Sequence, residues 1–508
     1  EGLAAGPDKP ALVSGFIGAA QDLAREISTA GAEVQILRRE ADQAVGQEVA
    51  AINRDLLALH DLNLEVLRVG ARPELLDRRD TLLRGLAGRL DVSIAREDRG
   101  TISLYTRAGQ PLLEATPRQL TYQPAAIVDA DVSFGAIRLY RAEEIDPGTG
   151  VPVAGATGSV LVTGGIRAAL TPELAADAVS DAEQRIVSPL RGGRLQGLLE
   201  ARDGLLPELA DQLGELAGLL RHSLNAAHND AVAQPPPDRL VGTRRDLGGF
   251  AAAARSGTAY ISVLDSTSGS AAVTIALDVS VAADPAAVAA QLSAGLTGYG
   301  TATLNADGAL EITVGAGYGL AVAEGDSAIV DTDVAGRTRR FGFSHYFGLN
   351  DLLVASGPRP SDLRVRSDLV GDSSRLARTK LDVFPGPPAA ATLGGVGDSR
   401  GARSLAAAFE TEIAVAARGG LPGGSFRSAD YLAELVAAAS TKASAAESRA
   451  AGDRALAEDL AAREASISGV NLDEELSRLV LFQQAYGVSA RIISITDELF
   501  DALLAIGR

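Results

Sequence analysis

The chain has 508 residues and a formal net charge of −18; 46% of it is hydrophobic but only 4% aromatic. Such a length predicts several domains, and cores so poor in aromatics must rest on Ala, Leu, Val and Ile, a repertoire suited to helix bundles and coiled coils. The acidic balance, without clustered Lys and Arg, argues against nucleic acid. The absence of Cys excludes disulfides, thiol catalysis and Cys-based metal sites.

No run reaches the roughly 20 apolar residues of a membrane span. The opening EGLAAGPDKP lacks the basic start and apolar stretch of a cleavable signal. The sequence begins at Glu1 and holds no Met, so a segment upstream of Glu1 is expected.

Phe16 to about Val69 reads as one long helix. Its apolar residues fall at Phe16, Ala20, Leu23, Ile27, Ala30, Val34, Leu37 and Ala41, then Val45, Val49, Ile52, Leu56 and Leu59. These steps of three and four are a coiled-coil seam, with a stutter of consecutive fours from Leu37 to Val49. Pro10 marks its start, Gly70 and Pro73 its stop. A shorter helix, PELLDRRDTLLRGLAGRL, follows. DVSIARE and TISLYTR then alternate around DRG as a hairpin.

Residues 110–185 are mixed, with strand-like AIRLY and SVLVT separated by the turn DPGTG. Helix returns from Leu195 to about Asn229, with a seam at Leu206, Leu209, Leu213, Leu216, Leu220 and Leu224. QPPPD reads as a linker. Residues 250–345 are β-rich around one helix, DPAAVAAQLSAGL, capped by Asp284 with Pro285 in its first turn. PGPPAAATLGGVGDSRGAR reads as a loop, and a long Ala-rich helix runs from Asp430 to about Ile467.

One repeat stands out. LLDRRDTLLRGLA (Leu75 to Ala87) aligns without gaps to LLEARDGLLPELA (Leu198 to Ala210). The Leu pairs set an apolar face; Arg79-Asp80 and Arg202-Asp203 are expected to lie off it. As a surface ion-pair habit they would contribute roughly 0–1 kcal/mol. The match of the whole frame favours two equivalent helices packed in one bundle.

No catalytic pattern rises above background. Of the four histidines only His222 and His228 are close, and a spacing of six does not suit a metal pair on a helix. GGVGDSRG lacks the Lys-Ser/Thr of a phosphate loop, and no Ser sits in a nucleophile elbow. Neither an enzyme nor a cofactor site is expected.

The closing helix carries the sharpest signal. Asn471 and Glu474 form a capping box. One seam is Leu472, Leu476, Leu479, Gln483, Tyr486, Ala490, Ile493, Asp497, Phe500 and Leu504; a second is Leu481, Ala485, Val488, Ile492, Ile495, Leu499, Ala502 and Ile506. The two are offset by two residues, about 200° around the helix. One reading buries this helix inside its own domain. The other gives one seam to the same chain and one to neighbouring subunits, with Leu503 beside them in the same interface. The acidic polar face argues against a lipid surface.

SGVNLDEE, FQQAY, SAR and FDALL in this block resemble the C-terminal signature of the flagellar hook-associated protein 1 family. LLDRRDTLLRGLAGRLDVSI with GTISLYTRAGQPLL, GRLQGLLEARDGLLPELADQLGELAGLLRHSLNAAH, FSHYFGLNDL and GDSRGARSLAAA resemble further segments of that family, in the same order. The terminal block alone is shared more weakly with hook protein and other axial proteins. The family begins with further residues, including a helix that pairs with the C-terminal one. Glu1 corresponds to a point inside its helical domain.

The expected fold is α+β and multidomain: long N- and C-terminal coiled-coil-like helices form an axial bundle, with β-rich domains inserted between them. The expected parts are a helical domain with a hairpin (1–100), a β-rich insertion (101–190), the middle of the bundle (191–235) and an outer β-rich domain (236–352). A loop-rich return (353–427), a long helix (428–467) and an axial assembly helix (468–508) complete the chain. The resemblance implies a secreted structural subunit of the extracellular flagellum, joining hook to filament and exported unfolded by the type III system. Implied partners are further copies in a ring, hook protein, the second hook–filament junction protein, and an export chaperone at the C-terminal helix. Nucleic acid and membrane insertion are not expected. Another flagellar axial protein, or a secreted glycan-binding or hydrolytic protein, remain the alternatives.

Overall fold

The computed structural model describes residues 2–162, 190–332 and 337–468, apart from positions 131, 133, 147, 358, 387 and 388. In the closing segment it describes Leu476, 479–484, Tyr486 and Arg491. The chain forms two compact units, Glu1–Leu435 and Val436–Arg508. Long helices toward both ends and a β-rich middle give the α+β architecture expected from the sequence.

A short α1 (Gly2–Ala5) precedes α2 (Pro10–Val69), a single helix of 60 residues. Pro10 sits in the first turn, where its missing N–H has no intrahelical partner to lose, and the Gly70 N–H closes the helix on the Val66 carbonyl. The buried face steps through Val13, Ile17, Ala20, Ala24, Ile27, Gly31 and Val34. Arg38 and Asp42 come next, then Val45, Val49, Ile52, Leu56, Leu59, Asn63 and Val66.

This corrects the seam drawn from apolar residues. Leu23 and Leu37 are 36% and 48% exposed. Threes and fours alternate throughout except at Val34–Arg38–Asp42, where two fours adjoin. The stutter exists, but it is occupied by a buried Arg and a buried Asp, which a trace through apolar positions steps around.

The helix α3 (Pro73–Arg89) folds back on α2. Strands β1 (Val92–Arg96), β2 (Ile102–Thr106) and β3 (Pro111–Leu113) form one antiparallel sheet. Strands β4 (Gln119–Thr121), β5 (Ile137–Tyr140) and β6 (Ser159–Val162) form a second. Asparagines on α2 hold both sheets. The Asn63 amide donates to Ile102 O at 2.8 Å and accepts from Ile102 N at 3.2 Å; Asn53 does the same to Leu120, both at 2.8 Å. Each amide supplies one donor and one acceptor, standing in for a neighbouring strand.

After Leu190, α4 (Arg194–Glu200), a π turn (Ala201–Leu205) and α5 (Leu206–Asn229) make one interrupted helix. Gly193, at φ +87, brings the backbone so close to the Arg89 carbonyl that a Cβ would overlap it. Leu86 of the first repeat and Leu199 of the second enter one core with Val49, Ile52 and Leu56 of α2. Both repeats therefore pack on α2. They are not equivalent, because aligned positions (Leu76 with Leu199, Leu86 with Leu209) differ in burial.

The β-rich part opens with β7 (Val232–Ala233), β8 (Arg239–Val241) and β9 (Ala254–Ser256). Next come β10 (Thr258–Asp265), β11 (Ala271–Asp278), α6 (Pro285–Gly295), β12 (Gly300–Leu304) and β13 (Leu310–Val314). It ends with β14 (Tyr318–Ala323), β15 (Ala328–Thr332), β16 (Thr338–Phe341) and α7 (Phe343–Phe347). The sheets β11-β10-β14, β12-β13-β8 and β16-β15-β9 enclose one core with Phe250, Leu292 and Phe347. Asp284 caps α6, accepting from Ala287 N at 2.7 Å, as its sequence predicts.

QPPPD is no free linker. Pro237 O accepts from Leu320 N at 2.7 Å and Asp238 O from Val314 N at 2.9 Å, because prolines keep their carbonyls while lacking N–H. The return holds β17 (Leu353–Val354) paired with β18 (Arg364–Val365), α8 (Ser367–Gly371), and β19 (Ala377–Thr379) paired with β7. It continues through the hairpin β20 (Leu381–Phe384) and β21 (Ala390–Leu393), α9 (Arg400–Ala408), and the hairpin β22 (Ile413–Val415) and β23 (Gly424–Phe426). The Pro/Gly-rich run read as a loop thus contains β21 and the start of α9. Asp398 within it accepts from Lys380 N at 3.1 Å and Arg400 N at 3.0 Å. The last helix is α10 (Ser428–Ser468), whose Tyr431 and Leu435 are buried in the first unit.

Candidate assembly surface and buried polar joints

Six large apolar side chains described in the closing segment are exposed. Leu476 is 56% and Leu479 53% exposed; Leu481, Phe482 and Tyr486 rise to 67%, 71% and 79%, and Val480 is half exposed. Leu476, Leu479 and Tyr486 belong to the first expected seam and Leu481 to the second, while Val480 and Phe482 lie outside both. Leu472, Val488, Ile492, Ile495, Leu499, Phe500, Leu503 and Ile506, with the capping pair Asn471 and Glu474, lie outside the described residues.

Three polar joints inside the first unit were not foreseen. The first lies at the α2 stutter. Arg202 was expected off the apolar face, yet it is 1% exposed. Its guanidinium donates to Asp42 Oδ1 at 2.8 Å, to Tyr122 Oη at 2.6 Å, and in a two-pronged pair to Asp203 at 2.8 and 2.7 Å. Tyr122 Oη also bonds Asp42, whose other oxygen accepts from Ala125 N at 2.8 Å. The Phe134 ring lies 4.1 Å from the Arg202 guanidinium carbon.

Burial alone would lower the Arg202 pKa; the hydrogen bond and charge of Asp203, then Tyr122 and Asp42, hold it above its ordinary value. Burial and the bond to Asp42 push the Tyr122 phenol up. The π turn is what distinguishes this copy of the repeat. Pro207 stands where the first copy has Arg84. Its ring conflicts with the carbonyl four residues back, that of Asp203, and the wider turn relieves the conflict. In the uninterrupted α3, Arg79 pairs with the half-exposed Asp80 at 3.2 Å.

The second joint is Glu215 of α5, 1% exposed, with Arg337 at 2.9 Å and Arg339 at 3.5 Å. Gly218, one turn on, leaves the space the Arg337 guanidinium fills. The third surrounds the C-terminal end of α5. Asn225 bonds Leu352 N, Leu353 N and Leu353 O at 3.0, 2.8 and 2.7 Å. Asn229 accepts from Ser344 Oγ and Asn350 N and donates to Asp351 at 2.8 Å. His228 bonds Asn350 O through Nδ1 at 2.5 Å and accepts from Ala377 N through Nε2 at 2.9 Å.

Glu324 accepts from Ser344 N and His345 N at 3.0 and 2.9 Å, and burial raises its pKa to about 7. Burial also raises Asp351 and lowers His345. His222 meets Phe341 edge-to-face and His345 at a tilt, with centroids 5.3 and 4.9 Å apart. The sequence signal for this joint is the run of amides and His at Asn225, His228 and Asn229 in an otherwise Leu/Ala helix.

A cavity beside it, bordered by Asn229, Ala231, Ser344 and Asn350, has about 10 Å³, room for at most one water. Among the described residues no group of three or more His, Cys, Asp or Glu could hold a metal ion. No described helix is long and apolar enough to cross a membrane.

Residues 1–146 match the family described as flagellar hook-associated protein FlgK helical domain. Residues 465–506 match flagellar basal body rod FlgEFG protein C-terminal. Flagellar hook-associated protein 1 of Salmonella typhimurium is 26% identical, over 99% of this chain and 78% of that protein. Its counterpart in Escherichia coli K12 is 23% identical over the same shares. The solved flagellar hook junction protein FlgK from Burkholderia pseudomallei aligns at a TM-score of 0.45 and 15% identity, over 90% of this chain and 91% of that one. The resemblance carried by the terminal block and the Arg-Asp helices is the one these comparisons return: along 99% of its length the chain is similar to flagellar hook-associated protein 1, and its first 146 residues match the helical domain of that family.

Proposed function

We propose that this protein is a structural subunit of the bacterial flagellum that joins hook to filament. The observation that carries the reading is the end-to-end similarity to flagellar hook-associated protein 1, with the FlgK-type helical domain setting it apart from other axial proteins. The terminal match, to a rod-protein family, supports a role shared among axial proteins, namely assembly through the terminal helix. Exposed Leu481, Phe482 and Tyr486 are the surface a neighbour would cover. Partners on this reading are further copies in a ring, hook protein, the second junction protein and an export chaperone at the C-terminal helix. Export unfolded through the type III channel suits a chain without Cys.

Localisation tests it. A tagged copy of the full gene, expressed in a bacterium lacking its own hook-associated protein 1, is expected at the boundary of hook and filament by immuno-electron microscopy. Label spread along the hook or the filament overturns the junction assignment.

A further inference from the structure

His228 is fully buried on α5, and each of its ring nitrogens meets main chain from a different segment. Nδ1 lies 2.5 Å from Asn350 O, and a carbonyl can only accept, so Nδ1 carries the proton. Nε2 lies 2.9 Å from Ala377 N, and a backbone N–H can only donate, so Nε2 offers its lone pair. The ring is thereby fixed as the neutral Nδ1–H tautomer.

Ala377 opens β19, and β19 pairs with β7 through Ala377–Ala233 and Thr379–Val232. Thr379 Oγ1 adds a bond to Val232 O at 2.9 Å. Asn350 belongs to the turn after α7 and bonds His228 O and Ala231 O through its own amide. One imidazole therefore fastens the turn after α7 and strand β19 of the return to the end of α5.

The geometry points to His228 as a proton-operated latch: the neutral ring holds Ala377 and Asn350 to α5, and a proton on Nε2 releases β19 from that joint. A proton from solvent consumes the Nε2 lone pair. Two N–H groups then face each other across 2.9 Å, and a buried cation has no carboxylate partner. The charged groups around the ring do not offset this. Arg366 opposes the charge and Asp368 favours it, but these two pair with each other at 2.6 Å. Asp351 is held by Asn229 and Thr243. Asp230, the residue that closes α5, is held by Lys380, and Arg378 beside Ala377 is a second cation.

Burial lowers the His228 pKa to about 4 from an ordinary 6.5. A lowered pKa on a base means the latch is fully stabilising above pH 6.5 and loses strength as pH falls toward 4. The opening equilibrium then rises roughly 25-fold between pH 7 and pH 5. Hydrogen exchange of the full chain, corrected for the intrinsic rate at each pH, reads it. Protection of the peptide spanning 374–381 is expected to fall by about that factor in the wild type. In His228→Gln, which keeps one donor and one acceptor but does not titrate, it is expected to hold. An equal loss in His228→Gln, or no loss in the wild type, overturns the latch. If His228→Gln does not fold, the wild type decides alone: NMR of ring-labelled histidine, with the His228 signal assigned apart from that of the likewise buried His345, should show His228 titrating near pH 4. A His228 signal titrating near 6.5 overturns the proposal.

Discussion

Arg202 reaches across 160 residues of sequence to place a guanidinium nitrogen 2.8 Å from the carboxylate of Asp42, with 1% and 0% of the two side chains exposed. Asp42 sits at the stutter of α2, and Arg202 on the π turn that Pro207 imposes. Two local irregularities, each unfavourable alone, meet and are satisfied by one buried ion network. Removing one partner leaves the other charged and buried, so Asp42→Ala or Arg202→Ala should cost about 3–5 kcal/mol. Arg79→Ala, at the aligned position of the first repeat, should cost about 1 kcal/mol or less, since Asp80 stays half in water. Urea unfolding of the three variants checks this; equal losses at Arg79 and Arg202 would contradict the asymmetry.

Pro207 also makes a testable claim about geometry. Pro207→Arg converts the second repeat toward the first. The π turn is expected to relax to α-helix, turning Arg202 away from Asp42. The gain of replacing a helix-interior Pro, up to about 3 kcal/mol, would be outweighed by the broken pair together with the cost of an Arg at the buried Pro207 position. The result is a net destabilisation with a large loss of the Asp42–Arg202 coupling in a double-mutant cycle.

At Gly218 an Ala substitution should act against helix propensity. Gly→Ala inside a helix ordinarily stabilises by up to about 1 kcal/mol. Here the added methyl meets the Arg337 guanidinium and pushes it from Glu215. A destabilisation of about 2 kcal/mol is expected, abolished when Glu215 and Arg337 are first replaced together by Gln and Leu. Thermal melts of the single and triple variants decide the sign.

Glu324 predicts a pH dependence opposite to that of His228. Burial raises its pKa to about 7 from 4.5. A raised pKa on an acid means its contribution is fully present below pH 4.5 and is lost as pH rises through 7. Glu324→Gln should therefore remove a decline in stability between pH 4.5 and 7, read as urea midpoints at pH 5, 6 and 7. If the variant keeps the wild-type slope, the carboxyl titrates elsewhere in that range.

The sequence exposed regular elements better than polar joints, for a physical reason. The hairpin at Val92–Thr106, the Asp284 cap and the full length of α2 follow from local periodicity, turn chemistry and capping, all written within a few residues. Arg38, Asp42 and Arg202 are buried by partners 80 to 164 residues away, and a trace through apolar positions passes over them. QPPPD and GGVGDSRG look like unstructured chain because Pro and Gly disfavour regular elements, yet Pro237 O and Asp238 O are taken up by β14 and β13, and the Asp398 carboxylate by Lys380 N and Arg400. The terminal helix was the reverse case. Its two seams were legible at once, but what would cover them is not written in one chain.

The exposed residues of that helix allow the last prediction. Leu481 and Tyr486 are 67% and 79% exposed, so Leu481→Asp and Tyr486→Asp should change the thermal stability of the isolated chain by no more than about 0.5 kcal/mol. If the two seams serve neighbours, the same substitutions should abolish self-association in sedimentation and recruitment to the hook. Ile492→Asp and Leu499→Asp, on the second seam, should behave alike. Buried inside its own domain, by contrast, the helix would carry these residues in a core, and each Asp would cost several kcal/mol by leaving a desolvated carboxylate. The pair of measurements separates the readings: assembly lost with the fold kept places the seams between subunits, and fold and assembly lost together place them inside one.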